Sequence, residues 1–297
     1  MPYKRVLTVQ DISCIGQCSL TVALPILSVC GHETVVLPSA VLSSHTGGFH
    51  GNTFRDLTED FPNIRKHWCR EGIFFDAIYT GYLGSEKQID YVRELIRTTK
   101  KAGAPVIVDP AMADNGKLYS GFTPAYVEHM KQLCAEADYL LPNITEACLL
   151  TGMDYRADFG EGAGDPGVES VFDGKSVDQI YIKDLLDALS KQFPKATVIL
   201  TGIGFHKGET GVFICKGNEK QYYAHRKIAG SCHGTGDIFA SAFTGTLLRG
   251  MSPLEAASVA ADFVTECIKE TVGDKNHWYG AKFEPALPKL VKRIYDI

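Results

Sequence analysis

Gly234-Thr235-Gly236-Asp237 stands directly before an apolar stretch, Ile238 to Leu248. Two glycines ahead of a helix leave backbone N–H groups unshielded and aimed at one spot, where the helix dipole adds positive potential. Such a turn is an anion cradle, and Asp237 in the first helical turn would lie beside the anion. Alone, the tetrapeptide reads equally as a plain turn with an acidic helix-start residue. Its company argues for chemistry: Gln10-Asp11, Tyr82, Asp109, Asn143 with Glu146, and Thr201-Gly202 all follow short apolar runs. A carboxylate beside a phosphate site is unfavourable as mere structure. It makes sense as a base that removes the proton from a hydroxyl attacking a phosphoryl group.

The elements that must position these residues alternate. Val6 to Val9 reads as a strand, then a turn over Asp11 to Gln17, then a helix from Cys18 to Cys30, kinked at Pro25 and ended by Gly31. Further strands are expected at Thr34 to Leu37, Asp76 to Thr80, Pro105 to Val108, Tyr139 to Leu141 and Val198 to Leu200. Ser85-Glu86-Lys87-Gln88 has the form of a capping box, ahead of a helix with Ile89, Val92, Ile96 and Thr99 on one face and Gly103 at its stop. Thr123-Pro124 is an N-cap with proline at the first helical position, and Val127, Met130 and Leu133 should point inward. Strands fed by helices imply an α/β fold with a mostly parallel sheet covered on both faces. Ligands of such sheets bind at the carboxyl ends of the strands, where the polar residues above fall. Arg156 to Lys175 reads as a surface loop or insertion, and Gly211 to Ile228 as a hairpin turning at Lys216-Gly217-Asn218-Glu219. With no repeat or linker in view, residues 1–297 are expected to form one domain.

Composition narrows the classes. The 297 residues are 45% hydrophobic and 22% charged, ordinary globular values, and the formal net charge of −5 argues against a generic nucleic-acid binder. No apolar run reaches the roughly 18 residues of a membrane span, and Val6 to Val9 is too short for a signal-peptide core. Nine cysteines without a C-x-x-C pair suit buried thiols in a reducing cytosol better than a disulfide framework. Gly174-Lys175-Ser176 imitates the end of a P-loop, but Glu169 stands where the first glycine is needed. His32, His67, His129, His206 and His225 read as locally satisfied or solvated, and Trp68 and Trp278 as packing residues.

Taken together, Gly234-Thr235-Gly236-Asp237, Asp109-Pro110-Ala111-Met112 and Pro142-Asn143-Ile144-Thr145-Glu146 resemble the ribokinase superfamily. Gln10, Ser44-His45-Thr46-Gly47 and Thr80-Gly81-Tyr82-Leu83-Gly84-Ser85 narrow the resemblance to the pyridoxal kinase family, including pyridoxamine kinases. The matches run from about residue 6 to 248. The resemblance implies a three-layer α/β/α domain without a separate N-terminal lid sheet. It also implies ATP-dependent phosphorylation of the 5′-hydroxymethyl group of a vitamin B6 vitamer. By the same resemblance Asp237 is the catalytic base, and the N–H groups of Gly234, Thr235 and Gly236 form the anion hole. Asp109 and Glu146 help hold Mg²⁺ near the ATP phosphates. Asn143, Thr201 and Gly202 border the nucleotide, which also approaches Gly234 and Gly236. Thr46 and Tyr82 face the substrate, with His45 and Gly47 shaping a flap. A homodimer is implied, a cytoplasmic location fits, and the need for a monovalent cation such as K⁺ stays open.

One departure stands out. Where many pyridoxal kinases carry Ser after the first-strand Gln, this chain has Asp11. That carboxylate would pair with the cationic aminomethyl group of pyridoxamine, biasing the site toward that vitamer, or with the protonated ring nitrogen, or it would hydrogen-bond its own turn. Cys232, beside the cradle, reads as incidental. Hydroxymethylpyrimidine kinase is the rival within the fold, although that branch usually has Cys where Asp237 stands. A sugar kinase would add a lid sheet. A non-catalytic vitamer sensor, the reading from another class, would need neither Asp237 nor the cradle. The hairpin from Gly211 to Ile228 is expected to border the nucleotide.

Overall fold

Side-chain alternation sorts a central sheet into two faces. Along β1 (Arg5–Ser13), Leu7 and Val9 point into one core and Val6 into another. The computed structural model describes residues 3–157, 172, 174–230 and 232–296. After β1 come α1 (Leu20–Val29), β2 (Glu33–Leu42), β3 (Phe54–Asp56), α2 (Phe61–Arg70), β4 (Ala77–Thr80) and α3 (Glu86–Thr99). Next are β5 (Val106–Val108), the small hairpin β6 (Ala113–Asp114) and β7 (Lys117–Leu118), α4 (Pro124–Cys134), β8 (Tyr139–Leu140) and α5 (Ile144–Thr151). The chain continues through α6 (Val177–Gln192), β9 (Thr197–Thr201), β10 (Glu209–Lys216) and β11 (Glu219–Arg226). It closes with α7 (Thr235–Leu248), α8 (Pro253–Thr271) and α9 (Leu287–Tyr295).

Nine strands join in the order β11-β10-β9-β8-β5-β4-β1-β2-β3. From β9 to β2 all neighbours are parallel, while the β10–β11 hairpin and β3 add antiparallel edges. Helices α2 to α6 pack on the Leu7–Val9 face, with Phe61, Phe75 and Tyr126 among its largest buried side chains. Helices α1, α7, α8 and α9 cover the other face around Ile26, Phe243 and Ala260. The fold is therefore the expected α/β sandwich with a mostly parallel central sheet. Because β1 lies between β2 and β4, the connections leave it in opposite directions, which opens a crevice at its carboxyl end.

Several boundaries differ from the sequence expectations. β1 does not turn at Asp11 but runs on to Ser13, paired with an equally prolonged β2 that reaches Leu42 through Pro38. Strands β3, β6 and β7 were not expected; among the described residues, β6–β7 is the one strand pair outside the main sheet. Helix α1 continues through Pro25, and Gly31 follows it at φ +88° as expected. The Ser85 hydroxyl accepts the Gln88 N–H, but Gln88 does not complete the box. Its side chain accepts from Gly84 N–H at 2.7 Å and donates to the Ser39 carbonyl at 2.9 Å, tying α3 to β2. Helix α3 ends at Thr99, because Lys100 is extended and bridges Phe75, before Gly103 is reached. Thr123 caps α4 as expected. Most of the glycine-rich stretch between 156 and 175 lies outside the described residues. The hairpin is present, but its Gly217-Asn218 turn lies at the amino-terminal end of β9, since Cys215 pairs with Val198 and Val212 with Thr201. Only its open end, near Glu209 and Arg226, lies on the side of the crevice.

Candidate active site

The amino-terminal turn of α7 is built around two glycines with different duties. Gly234 is the N-cap at φ +78°, and a Cβ there would stand 1.9 Å from the Gln17 carbonyl oxygen. Only glycine accepts both that conformation and that approach. A Cβ on Gly236 would meet nothing within 4 Å, so the space over the helix terminus is open. Thr235, the first helical residue, turns its hydroxyl back to the Cys232 carbonyl at 3.5 Å. Asp237 is half-buried one turn in. Burial raises its carboxyl to about 7; the Ser19 N–H opposes the shift and the neighbouring Asp11 carboxylate adds to it. Ser19 presents that N–H from a tight loop in which Gly16, Gln17 and Ser19 have φ of +136°, +54° and +55°. Gly280 lets the loop pack closely, since its Cβ would lie 2.5 Å from that of Gln17. Sequence reading missed Ser19, because nothing local marks a serine whose backbone serves a residue more than 200 positions away.

Two further carboxyls are gathered from neighbouring strand ends. Asp109 follows β5 and anchors its N–H on the Thr80 carbonyl at 2.9 Å. Glu146, 2% exposed, sits in the first turn of α5. Its Oε2 accepts the Asn143 N–H at 2.9 Å and its Oε1 the Met112 N–H at 3.1 Å, while Asn143 Oδ1 accepts the Glu146 N–H at 2.9 Å. This reciprocal cap pins α5 to the segment after β5. Burial pushes Glu146 up to about 7 against those N–H bonds. Burial, then the charges of Glu146 and Asp237, hold Asp109 well above the carboxylate range. Tyr119, also missed in the sequence, has its phenol pushed upward by its burial and then by the charges of Glu146, Asp109, Asp114 and Asp237.

The donor set suits a hard divalent cation. Among the described residues no three His, Cys, Asp or Glu side chains converge as a ready-made metal cage. Mg²⁺ does not need one: it takes one or two carboxylates, waters and substrate phosphates. Half-buried Asp109 and buried Glu146 are carboxyls that repel each other; among the described residues the principal groups acting on them include no Lys or Arg, and a cation would relieve both.

On the other wall, Tyr82 follows β4, and Phe122 covers one face of its ring, centroids 5.5 Å apart. His45 is buried in the loop after β2. Its Nδ1 accepts the Gly47 N–H at 2.9 Å, and its Nε2 donates to the Tyr279 carbonyl at 2.6 Å. This pairing fixes a neutral tautomer, and burial lowers its pKa further. Thr46 is exposed, and Gly47 and Gly48 let His233 and Trp278 close on the loop, with Cβ positions 2.7 Å from those rings. Trp278 packs on Phe49, centroids 4.7 Å apart, yet remains 49% exposed. Asp11, 5% exposed, accepts the Ser13 hydroxyl at 2.8 Å.

The expected nucleotide residues line up along β8 and β9. Thr201 ends β9, bridges Asn143 and donates its N–H to the Pro142 carbonyl at 3.1 Å; Gly202 follows at φ +77°. The Asn143 amide is committed to the α5 cap and, through Nδ2, to the Ala113 carbonyl at 2.8 Å. Its side chain is thus a brace for this wall.

This arrangement has relatives. The family model described as phosphomethylpyrimidine kinase matches residues 35–161 and 168–281. The chain belongs to that family. A Bacteroides thetaiotaomicron protein provisionally named phosphomethylpyrimidine kinase, solved with pyridoxal, is 34% identical; the match covers 97% of this chain and 96% of that one, with TM-score 0.85. Pyridoxal kinase from Lactobacillus plantarum is 28% identical over 97% of this chain and 96% of that one, with TM-score 0.84. The chloroplastic thiamine biosynthetic bifunctional enzyme of rice is 25% identical over 90% of this chain, which spans only 45% of that protein. The family model begins after Asp11 and the Gly16–Ser19 loop.

Proposed function

We propose that this protein transfers the γ-phosphoryl group of ATP to the 5′-hydroxymethyl group of a vitamin B6 vitamer. The observation that carries the reading is Asp237: a half-buried carboxyl with its pKa near 7, beside an open glycine turn at a helix terminus. A carboxyl in that range takes a proton from an alcohol far better than one near pH 4. In the reaction Asp237 accepts the hydroxyl proton as the oxygen attacks the γ-phosphorus. The bond to the bridging oxygen breaks, and ADP leaves with that electron pair. The N–H groups of Gly234, Thr235 and Gly236 meet the charge on the transferred group. Asp109 and Glu146 would hold Mg²⁺, Glu146 through waters because its oxygens already serve N–H donors, and the ion would supply charge neutralisation on the phosphates. Thr201 and Gly202 border the nucleotide, while Tyr82, Thr46 and the His45–Gly47 loop enclose the ring and exclude water.

Hydroxymethylpyrimidine is the second reading, favoured by the family's description and by the rice relative. A vitamer is preferred here because Asp237 stands where the pyrimidine branch is expected to carry Cys, and because the Bacteroides relative was solved with pyridoxal. Product formation from ATP and Mg²⁺ with each vitamer and with hydroxymethylpyrimidine tests the choice. The expected result is turnover of vitamers; turnover of hydroxymethylpyrimidine alone would reverse it.

A further inference from the structure

Asp11 is a carboxylate of the site that phosphoryl transfer leaves unused. It lies inside β1, where the pairing slips: Gln10 faces Pro38 but Ile12 faces Val41, so β2 carries one extra residue. Such a bulge re-aims the side chains beside it. The groups within electrostatic reach of Asp11 are His45 of the loop, Tyr82, Cys18 and Asp237. Its carboxylate therefore lies among the residues that enclose the substrate ring. The Ser13 hydroxyl donates to Oδ2 at 2.8 Å and Ser19 offers a second hydroxyl, but hydroxyls leave the charge in place. His45 cannot neutralise it, because its ring is held as the neutral tautomer between Gly47 and Tyr279. Among the described residues, the principal groups acting on Asp11 include no Lys or Arg. A buried carboxylate without a cation is costly, and the missing cation is supplied when the ligand carries one.

Building on the vitamer reading, we infer that Asp11 is a specificity-determining residue whose carboxylate receives the ammonium of an aminomethyl substituent on the substrate ring. The site then favours pyridoxamine. An ammonium donates a charge-assisted hydrogen bond to Asp11. A neutral hydroxymethyl group donates a weaker one, and an aldehyde oxygen presents an acceptor to an acceptor. The expected order is pyridoxamine, then pyridoxine, then pyridoxal, because a buried polar group left without its partner discriminates strongly against the analogue that lacks it.

The test is kcat/KM for the three vitamers at pH 7 with saturating ATP and Mg²⁺, in the native protein, Asp11→Asn and Asp11→Ser. The dissociation constants for pyridoxamine and pyridoxal are measured alongside by fluorescence titration. Asp11→Asn should lower kcat/KM and weaken binding for pyridoxamine by roughly ten- to a hundredfold, with pyridoxal changed less than about threefold. Asp11→Ser, which keeps a small hydroxyl and removes the charge, should give the same loss of preference, and serves if the amide variant fails to fold. An unaltered pyridoxamine-to-pyridoxal ratio in a folded variant overturns the inference. So does an equal loss for all three vitamers, which would place Asp11 on the shared ring nitrogen or in the scaffold. Failure of the native protein to phosphorylate any vitamer would instead refute the vitamer reading beneath it.

Discussion

At the scale of single residues, the account turns on where protons sit. Burial raises the Asp237 carboxyl to about 7, so the deprotonated form that the proposed base needs is lost in acid. With Asp237 as base, kcat/KM for the vitamer should fall about tenfold per pH unit below 7 and level off above it. Asp237→Asn should remove that limb and lower kcat by roughly two to four orders of magnitude, with the KM for ATP nearly unchanged. The same carboxyl has a stability cost of the opposite sign. Its folded-state pKa lies above the ordinary 3.8, so protonation favours the folded state. That contribution is complete below about pH 4 and lost as pH rises through about 7. Asp237→Asn should therefore unfold later than the native protein at pH 8, by about 1–2 kcal/mol after allowance for its partial exposure. Equal melting temperatures at pH 8 would contradict the assigned burial. The two glycines separate folding from function. Gly234→Ala meets the Gln17 carbonyl and a left-handed backbone, and should cost about 2–4 kcal/mol in a denaturant titration. Gly236→Ala meets no atom and should keep its stability while losing turnover, because its methyl fills the cradle.

At the scale of elements, the site is held by caps and bulges. Glu146 closes the start of α5 with both oxygens accepting N–H groups. Glu146→Gln turns one acceptor into a donor facing a donor, and should destabilise by about 1–3 kcal/mol in thermal or denaturant unfolding. A variant as stable as the native chain would mean that the cap is not rigid. Much of this was legible in the sequence. The glycine turn before α7, the Thr123 cap and the strand-end positions of Asp109, Glu146 and Thr201 announce themselves through local residue type. What stayed hidden depends on partners distant in sequence. Asp11-Ile12-Ser13 looks like a turn by composition, yet pairing with a prolonged β2 keeps it extended. Gln88 looks like a box residue, yet the Ser39 carbonyl and the Gly84 N–H engage it. The strained loop at Gly16 to Ser19 is decided by Gly234 and Gly280, which press against it from the far end of the chain.

At the scale of the whole molecule, two cores clamp one sheet and leave its carboxyl edge as the proposed working surface. The hairpin shows why order along the chain misleads about position. Its conspicuous Gly217-Asn218 turn lies away from the crevice, and the segments around Glu209 and Arg226 lie toward it. Ligands that bind only the folded state should tighten the whole assembly. ATP with Mg²⁺ at about a hundred times its dissociation constant adds roughly 2.7 kcal/mol and should raise Tm by about 4 °C. The repelling Asp109–Glu146 pair predicts a smaller rise with ATP and a chelator. Equal shifts would show that these carboxylates meet no metal. Product formation tests most directly whether Asp237 deprotonates a vitamer hydroxyl during transfer from ATP. The native protein and Asp237→Ala are each supplied with ATP, Mg²⁺ and either pyridoxamine, pyridoxal, pyridoxine or hydroxymethylpyrimidine. The account predicts 5′-phosphorylated vitamers from the native protein, and a loss of two or more orders of magnitude in the variant. Undiminished turnover in Asp237→Ala, or vitamer binding without any phosphorylated product, would contradict it.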